Sequence, residues 1–144
     1  MMMAVVVASC KKDDDPKPDP EPLVEDGIYV VGAGTALTTF DIKGLMKSTK
    51  NEVDQSDRAA LLELFIPVKA GAEGFNIVKV AGSTKTTYGP GADFAAVTEF
   101  QTDEPSGKFS RGSIAETTTK FTVAEDGLYH VVYDTELGKV VVAK

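Results

Sequence analysis

The pattern of apolar and polar positions is most regular near the C-terminus, where short apolar segments alternate with turn residues. It predicts a meander of three strands, over residues 119–123, 128–134 and 139–143. Successive side chains of a strand point to opposite faces of the sheet, so Tyr129, Val131 and Tyr133 share one face of the middle strand. Leu128, His130 and Val132 share the other face.

Further strands are predicted nearer the N-terminus. Residues 27–32 are rich in β-branched side chains and bounded by glycines, which is typical of a strand. A second strand is predicted over 62–68, where Pro67 disfavours a continuing helix. A third is predicted over 74–80, and the glycine-containing segment 69–73 is of a length that would join it to the second strand as a hairpin.

The remaining segments are less regular. Residues 41–46 fit either a strand end or a short helical turn, and 48–58 read as a polar loop. Residues 81–118 are rich in Gly, Ser, Thr, Asp and Pro, and predict a long connection with short strands at 96–100 and 108–110. Long connections in compact domains often carry function, so this one is the first place to look for a site.

About seven short strands without a clear helix predict an all-β domain over 27–144, with the architecture of an immunoglobulin-like β-sandwich. One short sequence occurs twice, each time before a predicted strand. Glu25-Asp26-Gly27 precedes Ile28-Tyr29, and Glu125-Asp126-Gly127 precedes Leu128-Tyr129. The likeness stops there, so it indicates that one turn chemistry is used at two places rather than a repeated domain.

The N-terminus carries the strongest local signal. Residues 1–9 are apolar or small and end at Cys10, and Val7-Ala8-Ser9-Cys10 resembles the lipobox of bacterial lipoproteins. The resemblance implies that residues 1–9 are a signal segment and that Cys10 is lipidated. The charged residues after Cys10 are similar to the export signal that sends Bacteroidetes lipoproteins to the cell surface. The alternative is an apolar tail with a chance cysteine.

Residues 10–26 read as the lipidated cysteine followed by a tether. Prolines at alternate positions exclude a helix there and favour an extended polyproline conformation: Pro16, Pro18, Pro20 and Pro22. Such a segment extends by about 3 Å per residue, and would hold the domain away from a membrane surface.

Charge and composition exclude several classes of function. The formal net charge is −7 and no basic stripe is present, so we predict no nucleic-acid partner. One cysteine and one histidine cannot build a zinc site. His130 lies in mid-strand without a nucleophile elbow, and the adjacent carboxylates Asp103 and Glu104 sit in a polar loop beside Pro105. We therefore predict no enzyme, no cofactor and no metal.

Candidate ligand-binding residues come from the long connection and its flanks. Tyr88 and Phe94 are aromatic residues in a Gly-rich segment, where an exposed ring can stack on a flat apolar ligand surface such as a sugar ring. Lys79, Lys85 and Asp93 can add hydrogen bonds. The alternative is that both aromatic rings close the end of the sandwich.

The C-terminal motifs and the tether together resemble a known family. Asp126-Gly127-Leu128-Tyr129, followed by Asp134-Thr135-Glu136-Leu137-Gly138, is similar to the domains of the SusE/SusF family of outer-membrane starch-binding lipoproteins. The resemblance implies a lipid anchor in the outer membrane, exposure to the cell exterior, a polysaccharide or oligosaccharide ligand, and other surface uptake proteins as partners. A structural or assembly module, of adhesin, fimbrial or spacer type, stays open as the alternative.

Overall fold

The protein is seen here as a computed structural model that describes residues 24–51, 53–96 and 109–144, without the side chain of residue 109. The predicted signal segment, Cys10 and most of the tether lie outside the described residues. The described residues form nine strands: β1 Gly27–Val31, β2 Lys47–Lys50, β3 Asp57–Val68, β4 Asn76–Ala81, β5 Thr84–Pro90, β6 Ala95–Ala96, β7 Phe109–Glu116, β8 Gly127–Asp134 and β9 Lys139–Ala143. A single turn of 3-10 helix spans Ile42–Gly44.

All the strands pair antiparallel in one sheet, in the order β1-β4-β5-β7-β9-β8-β3-β2, with β6 beside β7. The prediction of an all-β domain is therefore confirmed. Strand β7 is shared: its C-terminal part pairs with β5, and its N-terminal part pairs with β9. We call β1, β4 and β5 the first arm of the sheet, and β3, β8 and β9 the second arm.

The sheet curls until its two ends meet. The residue pair Tyr29 and Leu45 forms an isolated antiparallel bridge, and the Met46 N–H donates to the Ile28 carbonyl at 2.8 Å. Leu45 and Met46 lead directly into β2, which pairs with β3 of the second arm, so the two ends of the sheet come into contact at β1. This contact covers part of the edge of β1 that another chain could otherwise join.

One hydrophobic core fills the inside of the curl. Both arms contribute to it, since Val30 and Ile77 of the first arm pack in the same cluster as Val131 and Val140 of the second. Phe75 and Phe121 lie at the end of this core, are almost fully buried, and stack with their ring centroids 5.3 Å apart. Burial of this apolar surface, at about 25 cal/mol per Å², is the main force that holds the two arms together.

The repeated turn sequence forms the same structure at both places. The Tyr29 hydroxyl donates to the Glu25 carbonyl at 2.6 Å, and the Tyr129 hydroxyl donates to the Glu125 carbonyl at 2.8 Å. In each copy the aspartate before the glycine accepts a backbone N–H from the neighbouring strand's end. The Asp26 carboxylate accepts the Gly82 N–H at 2.8 Å.

Asp126 accepts from Ala70, also at 2.8 Å. The register is the same in both copies, because Gly27 pairs with Val80 and Gly127 pairs with Val68. The donor in each copy is therefore two residues beyond the partner of the glycine. The prediction that one turn chemistry is used twice is confirmed, and the chemistry anchors the start of one strand in each arm.

The predicted hairpin through residues 69–73 is wrong. Strand β3 pairs with β2 and β8, whereas β4 pairs with β1 and β5, so the intervening segment crosses from the second arm to the first. Gly71 and Gly74 have φ angles of 120° and 45° in this segment. These values are open to glycine at little cost, and they turn the chain away from β3.

Three other predictions need correction. Residues 84–90 and 111–116, predicted as parts of a long connection, lie in β5 and β7. The predicted loop 48–58 contains the end of β2 and the start of β3. The predicted strand 119–123 has only one bridge, between Phe121 and Phe75, because this segment closes the end of the core instead of joining the sheet.

Candidate functional site

The structure separates the residues that the sequence indicated as ligand-binding candidates. In an antiparallel pair, directly opposite residues share a face. Tyr88 lies opposite Ile77, on the inward face of the first arm, and is partly buried against the main core. Lys79 shares that face at its exposed end. Lys85 lies opposite Val80 on the outward face, with its Nζ atom 4.7 Å from the centre of the Phe40 ring.

The other two candidates hold a loop in place. Phe94 packs edge-on against Phe121, with the ring centroids 5.1 Å apart. Asp93 accepts hydrogen bonds from the Ser113 hydroxyl, from the Ser113 N–H at 2.8 Å and from the Lys139 ammonium at 2.9 Å. The Ser113 hydroxyl and Lys139 hold the pKa of Asp93 well below its usual range. Asp93 and Phe94 therefore stay together. Of the other three candidates, Tyr88 and Lys79 share the inward face of the first arm, whereas Lys85 lies on the outward face of the same strand as Tyr88.

The outward face of the first arm is covered. Tyr29, Val78 and Val80 point outward and form a small second core, on which Phe40 and Leu45 of the 32–46 segment pack. The rings of Tyr29 and Phe40 lie 4.7 Å apart between centroids. Apolar side chains on this face are thus shielded from water by the chain itself.

The outward face of the second arm carries no such cover among the described residues. We call its central part the open face, and it is formed by these outward side chains of β3, β8 and β9: Leu61, Glu63, Phe65, Pro67, Leu128, His130, Val132 and Val141. Phe65 is 60% exposed and Leu128 is 58% exposed. Two large apolar side chains on neighbouring strands of one face form an exposed patch, and such patches mark interaction sites more often than single exposed residues do.

Phe65 is held in a fixed orientation on this face. It lies directly opposite His130, and their rings stack with centroids 4.2 Å apart and planes only 4° from parallel. The His130 Nε2 atom is in turn 2.7 Å from the Glu63 Oε2 atom. An acid, an imidazole and a phenyl ring therefore form a connected series across two strands, in which each side chain limits the rotamers of the next.

A concave region lies beside this series. Its volume is about 350 Å³, and it is lined by both polar and apolar side chains: Thr49, Lys50, Leu61, Glu63, His130, Val132 and Val141. The lining offers a carboxylate acceptor in Glu63, a hydroxyl in Thr49 and an ammonium donor in Lys50. An apolar floor with a few converging polar groups is the usual composition of a small-molecule site.

A second, larger depression of about 640 Å³ lies at the end of the core, between the 69–74 turn and the 119–124 segment. Its lining is made of backbone and small side chains, with Lys120 as its single charged group. The Lys120 Nζ atom is 3.5 Å from the Asn76 Oδ1 atom. Because this depression lacks an aromatic ring and a carboxylate, the open face is the better candidate site.

An ion-pair network borders the open face. Arg58 donates to the two carboxylate oxygens of Asp134 at 2.8 and 3.2 Å, and to Glu136 at 3.0 Å. Asp134 also accepts the N–H groups of Glu136 and Leu137, both at 3.0 Å. The side-chain hydrogen bond from Arg58 lowers the pKa of Asp134 below its usual value. This network fixes the β8–β9 turn.

Two general features complete the description. The described part of the chain contains no group of three or more His, Cys, Asp or Glu side chains that is placed to hold a metal ion. No helix within the same residues has the length and apolar character needed to cross a membrane.

Comparison of the chain with protein-family models, with curated proteins and with solved structures finds no match.

The sequence contained a signal for the open face that the search for loop aromatics missed. Along β3 the inward positions Leu62, Leu64, Ile66 and Val68 already supply the apolar alternation. Phe65 is out of phase with them and shares its face with Glu63. A large aromatic residue on the polar phase of a strand is the pattern expected of an exposed ring.

Proposed function

We propose that this protein is a non-catalytic glycan-binding lipoprotein of the bacterial cell surface, and that the glycan lies on the open face. The observation that carries this proposal is the exposed Phe65 ring, which is fixed against His130 beside the Glu63 carboxylate and the concave region. Pre-orientation of the ring reduces the conformational entropy that binding would cost.

The chemistry of the open face suits a sugar. The apolar C–H face of a pyranose ring can pack against Phe65 and Leu128, while its hydroxyl groups exchange hydrogen bonds with polar neighbours. Glu63 can accept through the oxygen that His130 does not contact, and Lys50 can donate. A few polar side chains at fixed positions then set the orientation of the sugar, and the apolar contact gives most of the affinity.

The same lining argues for binding without hydrolysis. Glycosidases use two carboxyl groups, about 5–10 Å apart, on either side of the scissile bond. The concave region is lined by one carboxylate, Glu63, and that carboxylate is already engaged by His130. We therefore assign no catalytic residue.

The proposed location rests on the N-terminal sequence. Lipidation of Cys10 would anchor the chain in the outer membrane, and the proline-rich segment up to residue 26 would hold the domain outside it. There it would present glycans to other surface proteins of a polysaccharide-uptake system, as the resemblance to the SusE/SusF family implies. The immunoglobulin-like β-sandwich belongs to the same proposal, and is supported by two arms that share one core.

A structural or assembly module is the second candidate. The exposed Leu128 and Phe65 favour it, because a protein partner could cover them. Strand addition is disfavoured, since the edge strand β2 is short and carries Lys47 and Lys50, and β6 has two residues. Short, lysine-bearing edges are a common protection against strand pairing.

Affinity gel electrophoresis tests the proposal. The full chain with Cys10→Ser, which removes the proposed lipidation site, would be run through gels that contain α-glucans, β-glucans, mannans or acidic polysaccharides. We expect one class to retard the protein. Phe65→Ala should abolish the retardation, and Tyr88→Ala, a matched aromatic change on the other arm, should leave it unchanged.

The outcomes separate the candidates. Retardation that Tyr88→Ala removes and Phe65→Ala does not would place the site on the first arm, against the proposal. Absence of retardation in every gel would favour the assembly role, which a concentration-dependent change of mass in sedimentation would support. Circular dichroism of each variant shows whether the sheet has been kept.

A further inference from the structure

The charged side chains around the open face are unevenly distributed. One cross-strand row runs over five strands, because the register places Lys47 opposite Glu63, Glu63 opposite Val132, Val132 opposite Val141, and Val141 opposite Arg111. The two valines form an apolar centre. A basic side chain stands at each end of the row.

These two basic groups have no acidic partner in the described structure. Lys47 and Arg111 are both exposed, and neither forms an ion pair with the described residues. Lys50 adds a third cation and has only a long, exposed contact of 3.9 Å with Asp57, which gives weak neutralisation. Glu63, the acid within the row, is 2.7 Å from His130.

Lys47, Glu63 and Arg111 give the row itself a formal charge of +1, whereas the whole chain has a net charge of −7. The two cations without ion-pair partners at the ends of the row can therefore attract an anion there, in a protein that is acidic as a whole. Arg111 is suited to this role because its planar guanidinium can donate two parallel hydrogen bonds to a carboxylate or a sulfate.

The spacing sets the size of the ligand. Phe65 and Arg111 lie on β3 and β7, which are three strand positions apart, or about 14 Å at the usual spacing of about 4.8 Å. A single sugar ring cannot reach both. A chain of several rings, laid across the strands, can stack at Phe65 and pass over Val132 and Val141 to Arg111.

We propose that the open face binds an acidic polysaccharide, whose anionic groups pair with Arg111 and Lys47 while one of its rings stacks on Phe65. This inference rests on the proposed glycan-binding function and specifies the chemical class of the ligand. The shared chemistry is a repeated anionic group along a sugar chain, which can be a carboxylate or a sulfate.

The test compares charged and neutral polymers in affinity gels, using the full chain with Cys10→Ser. The probes are polygalacturonate for carboxylates, dextran sulfate for sulfates, and neutral dextran and amylose. We expect retardation by an anionic polymer, which weakens as salt is raised from low to physiological concentration. Arg111→Gln combined with Lys47→Gln should weaken binding by roughly tenfold, since exposed ionic contacts contribute modestly and two of them are lost.

Two controls make the result specific. Lys69→Gln removes another exposed cation, one that lies beyond the end of β3 and outside the open face, and should leave binding unchanged. Phe65→Ala should also weaken binding to the anionic polymer, because it removes the ring on which a sugar would stack. A purely ionic attraction would not depend on this ring. If the double variant and Lys69→Gln lose the same amount, general charge attraction explains the retardation and the inference is wrong.

The remaining outcomes distinguish this inference from the proposed function. Phe65-dependent retardation by amylose or neutral dextran, unaffected by the change at Arg111 and Lys47, would overturn the acidic ligand and keep the glycan-binding function. Absence of retardation by every polymer would overturn both. Preference for either anionic polymer over the other would identify the carboxylate or the sulfate as the recognised group.

Discussion

The outward faces of the two arms differ in whether another segment of the chain covers them. Both carry large side chains that point away from the main core, Tyr29 on the first arm and Phe65 on the second. Tyr29 is fully buried, because Phe40 and Leu45 of the 32–46 segment pack over it. Phe65 is 60% exposed and stacks on His130 of the adjacent strand.

The two faces contribute differently to the stability of the fold. A covered apolar face adds buried surface and therefore adds to the free energy of unfolding. An uncovered apolar face adds little to that free energy and raises the risk of aggregation. An uncovered apolar face on the second arm is what the binding role proposed for the open face would require.

The largest expected effect is on the covered face. Tyr29→Ala would remove a fully buried ring and leave a cavity between β1 and Phe40, so we expect a loss of about 4 kcal/mol in the free energy of unfolding, measured with urea. Tyr29→Phe keeps the ring and loses only the hydrogen bond to the Glu25 carbonyl, which should cost about 1 kcal/mol. A loss below about 2 kcal/mol for Tyr29→Ala would mean that the covering segment contributes little, and the two faces would then be more alike than the packing indicates.

A smaller effect is expected at the border of the open face. The pKa of Asp134 is lowered in the folded protein by the Arg58 hydrogen bond, so Asp134 contributes stability above its unfolded pKa of about 3.9. That contribution is lost as the pH falls through the folded pKa. Asp134→Asn should cost about 2 kcal/mol at pH 7, because it removes the charge-assisted bonds.

Urea unfolding between pH 7 and pH 2 measures this dependence. The difference in stability between wild type and Asp134→Asn should be constant at neutral pH and should shrink below about pH 4. Asp57→Asn is a matched change of an exposed acid on the same arm, with a contact of 3.9 Å to Lys50, and should have little effect at any pH. A difference that stays constant down to pH 2 would show that Asp134 acts through its shape rather than its charge.

The sequence predicts strands well where apolar and polar positions alternate, and fails where both faces of a strand are polar. The hairpin of β8 and β9 was predicted because its apolar positions alternate between clear turns. Strand β5 was missed because Lys85, Thr86 and Thr87 are polar on both faces. Its turn was nevertheless readable: Gly82 and Ser83 form a two-residue connection, with Gly82 at a φ of 61° in the first position, where such hairpins favour glycine.

The pairing of strands was less predictable than their positions. Segment 69–73 has the length of a hairpin turn, yet it joins the two arms, because β3 already has both its edges paired by β2 and β8. That arrangement depends on partners far away in the sequence, which local spacing does not contain. The duplicated Glu-Asp-Gly turn was the better guide, since each copy marks a strand start with the same register.

The packing of the candidate aromatic residues differs from expectation for a related reason. Tyr88 and Phe94 were chosen because they lie among glycines, but Tyr88 belongs to a strand that packs on the core and Phe94 contacts Phe121. Exposure of an aromatic residue is decided by its phase relative to the apolar positions of its own strand. By that criterion Phe65 was the exposed ring, although confirming it required knowing that β8 lies beside β3 and that no described segment covers them.

The smallest expected effect provides the sharpest test of the comparison. Phe65→Thr replaces the exposed ring with a β-branched residue that suits a strand, so only the stacking on His130 and a little buried area are lost. We expect less than about 1 kcal/mol of change in urea unfolding, in contrast to about 4 kcal/mol for Tyr29→Ala. If both aromatic changes lower the free energy of unfolding by the same amount, Phe65 is part of the stabilising core. That result would contradict a binding role for the open face. If the cost is small while Phe65→Ala abolishes retardation in the affinity gels, the ring contributes to ligand binding and not to the fold.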